Sequence, residues 1–235
     1  MQVISKWSKF AAILAVLGML CGCTDERNAG VSQNRLESPT ATQKQAESLK
    51  FPVIFSEDGL IAEDLRLYQG QYWEDGSGEY VDNVAALMIC NTTERMIAFA
   101  SFAVDTLDGQ LYFFAYRLPP NSRCLVLEFQ RKACDPEKAL ACRELTVRWE
   151  AQELSREQID YVGLGSQMTI VNRDSRPLEH VTVWYKQYVQ SEDYYLGGKA
   201  YSAHVFYVQP QQASTLWPEH YDAAHARIVG IEVET

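Results

Sequence analysis

The sequence predicts an all-β protein, two tandem β-sandwich units carried behind an export segment and a polar tether. Three observations predict it. From about Phe51 onward, short runs of alternating apolar residues rich in aromatic and β-branched side chains are separated by turn residues, the pattern of half-buried strands. The second half of the chain repeats the strand-and-turn grammar of the first. The first 22 residues have a different texture, basic and then continuously apolar. The 235 residues are 47% hydrophobic and 22% charged, the composition of an ordinary globular chain. Twenty-one Lys and Arg against 31 Asp and Glu give a net charge of -10, a surface that repels phosphate backbones, so nucleic acid is not an expected partner.

Residues 1–22 read as a signal peptide. Lys6 and Lys9 form a basic start with no acid, and Phe10 to Cys21 is an unbroken apolar run. At about a dozen residues the run is short of the roughly 20 that a membrane-crossing helix needs. It ends in Leu20-Cys21-Gly22-Cys23, which resembles the lipobox of bacterial lipoproteins. The resemblance implies cleavage after Gly22 and a diacylglyceryl thioether on Cys23, hence a lipid anchor at the cell membrane, on its extracytoplasmic side. Cleavage removes both N-terminal lysines and leaves 19 basic against 31 acidic residues, a mature charge of -12. Residues 23–50, rich in Ser, Thr, Gln, Asn and Glu with no sustained apolar period, are expected to be a flexible, disordered tether.

The first unit is placed at residues 51–152. Its strands are predicted at Asn83 to Cys90, Ile97 to Asp105, Leu111 to Leu118, Cys124 to Phe129 and Glu144 to Trp149. Asp108-Gly109 is the hairpin turn between the second and third, and Pro119-Pro120-Asn121-Ser122 is a break. The second unit, residues 153–235, has strands at Gln167 to Val171, His180 to Val189, Ala200 to Val208, Thr215 to Trp217 and Arg227 to Val233. Asp135 to Cys142 and Ser155 to Tyr161 are predicted as short helices. Aligning Asn91 with Asn172 places Arg95 on Arg176, Ala100 on Val181 and Phe102 on Val183 at an offset of 81. Leu118 and Pro120 fall on Val208 and Pro210 at an offset of 90. The second unit therefore carries about nine extra residues in its central hairpin, Gln190 to Lys199, with Gly197-Gly198 read as a turn.

The series of strand, Asn-centred turn, strand, Asp-Gly hairpin, strand and Pro-Pro break in Val84 to Glu128 resembles the immunoglobulin-like FxLYD domains of bacterial surface lipoproteins. Val84, Asn91, Phe102, Asp105, Gly109 and Pro120 fit that family's pattern. The resemblance implies an immunoglobulin-like β-sandwich with a surface role, and no reaction.

Besides Cys23 the mature chain has Cys90, Cys124, Cys134 and Cys142, an even number in an exported protein. A local bridge between Cys134 and Cys142 is the favoured pairing. Cys90 with Cys124 follows only by elimination, with two buried free thiols as its alternative. The seven-residue gap between Cys134 and Cys142 does not suit a zinc knuckle. His220 and His225 are not at metalloprotease spacing, and Gly163-Leu164-Gly165-Ser166 is not a nucleophile elbow. Glu74, Asp75 and Glu79 lack the ligand series of a calcium loop and read as a solvated acidic turn. No catalytic residue, metal site or cofactor is therefore assigned.

The remaining candidate is aromatic. Val181, Val183 and Tyr185 match the inward Ala100, Phe102 and Val104, so Thr182, Trp184, Lys186 and Tyr188 are predicted to face outward. Trp184 and Tyr188, with His204 and Phe206 from the neighbouring strand, would make a surface that stacks on a sugar ring or anchors a protein. The competing expectation is that Trp184 is covered as part of a core. The sequence thus leads to a non-catalytic interaction or structural module at the cell envelope, with an unknown envelope protein or glycan as partner. Carbohydrate recognition serving an envelope or polysaccharide enzyme system is the alternative.

Overall fold

In Gly109–Leu118 the apolar Leu111, Phe113 and Ala115 alternate and all turn inward, the mark of a strand with one face on a core. The computed structural model describes residues 47–55, 59–150 and 158–234, and this alternation recurs through most of it. The strands of the first half are β1 (Val53–Ile54), β2 (Leu60–Gln71), β3 (Tyr80–Asn91), β4 (Met96–Thr106), β5 (Gly109–Leu118), β6 (Ser122–Leu127) and β7 (Ala139–Glu150). Those of the second are β8 (Ile159–Leu164), β9 (Gln167–Asn172), β10 (Leu178–Val189), β11 (Tyr194–Val208), β12 (Ala213–Leu216) and β13 (Ala226–Glu234). The all-β expectation holds: the described residues contain no α-helix, and none of their helices is long and apolar enough to cross a membrane.

Both predicted helices need correction. Asp135 caps a single 3-10 turn, Pro136–Lys138, and Ala139 to Cys142 already belong to β7. Residues 155–157 lie outside the described residues, while Ile159 to Tyr161 open β8, where pairing with β9 overrides a weak local helical pattern. The signal peptide, Cys23 and residues 23–46 of the tether also lie outside the described residues. The end of the expected tether is docked instead of free, because the Leu49 amide donates to the Ala139 carbonyl at 2.7 Å and its side chain packs on the first core.

The strands form sheets of order β1-β2-β3-β6-β11-β10-β13, β5-β4-β7 and β12-β9-β8. In a sandwich-like arrangement, one core lies between β2-β3-β6 and β5-β4-β7, around Leu87, Ile97, Phe102 and Phe113. A second lies between β11-β10-β13 and β12-β9-β8, around Met168, Val183, Tyr185 and Ile231. The orders β2-β3-β6 and β5-β4-β7 recur as β8-β9-β12 and β11-β10-β13. Register recurs too: Ala100 faces Ala115 and Phe102 faces Phe113, as Val181 faces Val205 and Val183 faces Ala203.

At the same corner of each half sits a fully buried Asn. The Asn91 side-chain amide donates to the carbonyls of Arg95 at 2.8 Å and Pro119 at 2.9 Å, and its oxygen accepts from the Thr93 amide. Asn172 donates to Arg176 at 2.8 Å and Val208 at 2.9 Å and accepts from Asp174. Each Asn satisfies carbonyls at the strand ends that would otherwise be stranded away from water.

The extra residues of the second hairpin join the halves. Tyr195 and Leu196 of β11 pair in parallel with Cys124 and Leu125 of β6, while Tyr194, Leu196 and Val189 pack on the outer face of β3 and β6. Gly197-Gly198 is therefore not a turn but part of β11, and the turn is at residues 190–193. A Cβ on Gly198 would meet the Phe114 carbonyl oxygen at 1.8 Å, so only Gly permits this approach of β11 to β5.

Lys186 is the largest departure from expectation. Predicted to face solvent, it is fully buried, and its ammonium donates to the carbonyls of Tyr116 (3.1 Å), Gly198 (2.7 Å) and Lys199 (3.0 Å). The pairing of β10 with β11 and β13 shifts register around Trp184 to Gln187, and there the Lys186 ammonium is enclosed by backbone carbonyls of β5 and β11. Glu74 accepts from the amides of Leu127 (2.8 Å), Gly198 (2.7 Å) and Lys199 (3.2 Å).

Lys186→Ala, which leaves those carbonyls without their donor and removes the nearby positive charge from Glu74, is expected to destabilise the fold by about 3–5 kcal/mol, measured as a lowered urea midpoint. Asn91→Ala and Asn172→Ala are expected to cost similar amounts, about 1–3 kcal/mol each, in the same measurement.

Candidate functional site

The four candidate aromatic and histidine residues do not form one platform. Trp184 lies half-buried in a groove of about 370 Å³ between the halves, lined also by Ala98, Tyr116, Lys199 and Ala200. The Arg117 guanidinium sits 4.3 Å from the Trp184 ring centroid, and the indole N–H donates to Glu232 at 3.0 Å. Arg117 also pairs with Glu232 and, at 3.4 Å, with Glu150, which holds the indole between β5 and β13. His204 and Phe206 are exposed further along the same sheet face. His180 stacks on Phe206 at 4.6 Å and hydrogen-bonds through Nε2 to His204 Nδ1 at 3.1 Å. Tyr188 stands elsewhere, at the root of the β10–β11 turn.

Tyr188 lines a cleft of about 740 Å³. One wall comes from the end of β2 and the residues after it, with Tyr68, Gln71 and Trp73. The second is the β10–β11 hairpin, with Gln187 to Ser191 and Leu196. The third is the loop before β13, with His220, Tyr221, Asp222 and His225. One side of the Tyr188 ring is engaged by Arg227 at 4.8 Å, its edge by Tyr195, and its hydroxyl by Asp193.

The third wall is fixed by hydrogen bonds. The Tyr188 amide donates to the His225 carbonyl at 2.7 Å, the Ala223 amide to the Gly165 carbonyl at 2.8 Å, and the Ala224 amide to the Asp222 carboxylate at 2.9 Å. Gln187 Nε2 donates to the His220 carbonyl, and Tyr185 to the Glu219 carbonyl. Trp73 meets the His220 ring edge-on at 5.9 Å. A cleft held in this way needs little reorganisation to take a ligand.

The charged groups Glu74 and Lys186 meet at the junction of the halves. Burial pushes the Glu74 carboxyl up, opposed by its amide donors and by Lys186, and burial pulls the Lys186 ammonium down, with Glu74 opposing. Their hydrogen bonds go to the backbone. Asp75 and Glu79, grouped with Glu74 in sequence, are separated from it in function, since both pair with Arg131 at the surface. Among the described residues no group of three or more His, Cys, Asp or Glu is placed to hold a metal ion.

No bridge joins Cys90, Cys124, Cys134 and Cys142 in this structure. Across β3 and β6, Ile89 faces Cys124 and both point into the first core, whereas Cys90 is paired with Arg123 on the opposite face. The sheet itself separates the two thiols. Cys134 sits in the loop before the 3-10 turn with its thiol on the Asp135 carbonyl, and Cys142 is held on β7 opposite Val104. Burial pushes the Cys124 thiol up to about 11 and Cys142 up to about 12.

Sequence reasoning found Tyr188 but missed Tyr68, Trp73, Tyr221 and the amide side chains beside them. Their one signal was the surplus of residues in the second hairpin, which forms a wall of the cleft. Compared with known proteins, the chain matches no protein-family model and no curated protein sequence.

With a pKa near 11, Cys124 is expected to alkylate on the order of a hundredfold more slowly at pH 8 than an ordinary exposed thiol, until the protein is unfolded. Timed iodoacetamide labelling with peptide mass analysis reads this, and the same maps are expected to contain no Cys90–Cys124 peptide.

Proposed function

We propose that this chain is a bacterial envelope lipoprotein, anchored through Cys23 on the extracytoplasmic side of the membrane and displaying two tandem immunoglobulin-like units as a non-catalytic interaction module. The repeated strand plan and the paired Asn91 and Asn172 corners support tandem units related by duplication. Their resemblance to FxLYD domains supports the immunoglobulin-like reading.

The observation that carries the interaction role is the cleft of about 740 Å³ that three separate segments wall in, a volume within the roughly 300–1,000 Å³ range of small-ligand sites. The buried charges Glu74 and Lys186 serve the backbone of the junction, which favours recognition over turnover. A second reading, carbohydrate recognition, is favoured by the composition of the cleft wall, where aromatic rings alternate with amide and hydroxyl groups.

In cells fed a labelled fatty acid, the wild-type chain is expected to carry label and to fractionate with the membrane. Cys23→Ala is expected to lose both properties. Retained label in Cys23→Ala, or a wild-type chain that stays soluble, overturns the anchor.

A further inference from the structure

The geometry points to the cleft between the end of β2, the β10–β11 hairpin and the loop at residues 218–225 as a binding site for an uncharged oligosaccharide segment. This rests on reading the cleft as the recognition site and gives it a ligand class. Three aromatic side chains, Tyr68, Trp73 and Tyr188, contribute to the lining, with the buried Tyr221 behind them. A pyranose presents patches of C–H groups that gain from contact with the negative face of such rings, while its hydroxyls need partners that both donate and accept. Gln71, Gln190 and Ser191 supply donors and acceptors, and Asp222 adds an acceptor at the rim.

Charge narrows the class. The lining contains no Lys or Arg, its titratable groups are His220, His225, the tyrosines and one acid, Asp222, and the mature chain has a net charge of -12. Arg227, the guanidinium nearest Tyr188, is engaged with that ring and does not line the cleft. An anionic polysaccharide would meet the acidic surface with no permanently charged cation in the lining to offset its desolvation. The volume of about 740 Å³ leaves room for more than a single ring. The surface formed by the exposed His204 and Phe206 with the half-buried His180 lies apart from the lining and serves as an internal control.

The test uses the full chain in a polyoxyethylene detergent, which has neither a sugar nor a quaternary ammonium headgroup. Tri- to hexasaccharides of glucose and N-acetylglucosamine are titrated by calorimetry beside oligogalacturonate and choline. At least one neutral series is expected to bind with 1:1 stoichiometry, and oligogalacturonate of equal length at least tenfold more weakly. Tyr188→Ala and Trp73→Ala are expected to weaken binding tenfold or more. Gln190→Ala, an exposed change that leaves the fold intact, should weaken it severalfold, and Phe206→Ala should leave it unchanged. Thermal melts of each variant separate lost binding from lost folding.

Tighter binding of oligogalacturonate or choline, or equal loss in Phe206→Ala, overturns the proposal. A photo-crosslinking residue at position 190 in living cells keeps the two readings apart. Capture of an envelope protein or peptide with no oligosaccharide binding overturns the glycan assignment and leaves the interaction module standing. The absence of both capture and oligosaccharide binding overturns both readings.

Discussion

Glu74 and Lys186 meet the backbone of Gly198 and Lys199 from two directions, one through the amides and one through the carbonyls. Each also holds the first half, Glu74 at the Leu127 amide and Lys186 at the Tyr116 carbonyl. Taking either charge out of water costs several kcal/mol, and that cost is offset only while both halves supply their backbone groups. The pair therefore specifies one relative placement of β5, β6 and β11. Gly198 contributes to the same constraint by letting β11 come against the Phe114 carbonyl.

This placement makes the chain more than a repeated plan. The two halves share strand order, hairpin register and a buried Asn that satisfies strand-end carbonyls. They differ in the central hairpin, which is short in the first half and extended in the second. The extension continues the sheet of the first half through β6–β11 pairing and covers the outer apolar face of β3 and β6 with Tyr194 and Leu196. It thereby removes an exposed edge and an exposed apolar face together.

The cleft is a by-product of the same extension. Its hairpin wall exists because β10 and β11 run past the common plan, and its other walls come from the end of β2 and the loop before β13. The groove at Trp184 arises differently, where β5 meets β10 and β13, and its indole is occupied by Arg117 and Glu232. Two aromatic residues four apart on one strand thus have separate surroundings, one clamped in the junction and one beside the larger cleft.

Period-two alternation, turn residues and the offsets of 81 and 90 determined from the sequence alone that the chain is all-β, where most strands run, and which side chains of β4 and β10 face the cores. Those features are local, or compare one stretch of chain with another, so a single sequence displays them. Strand β2 and the pairing of β8 were less legible, because a strand with mixed polar faces has no clean alternation. Only the tertiary structure decided the fate of Lys186, the separation of Cys90 from Cys124 and the membership of the cleft. Each depends on which face a distant strand covers, and side-chain period specifies a face without saying what lies against it.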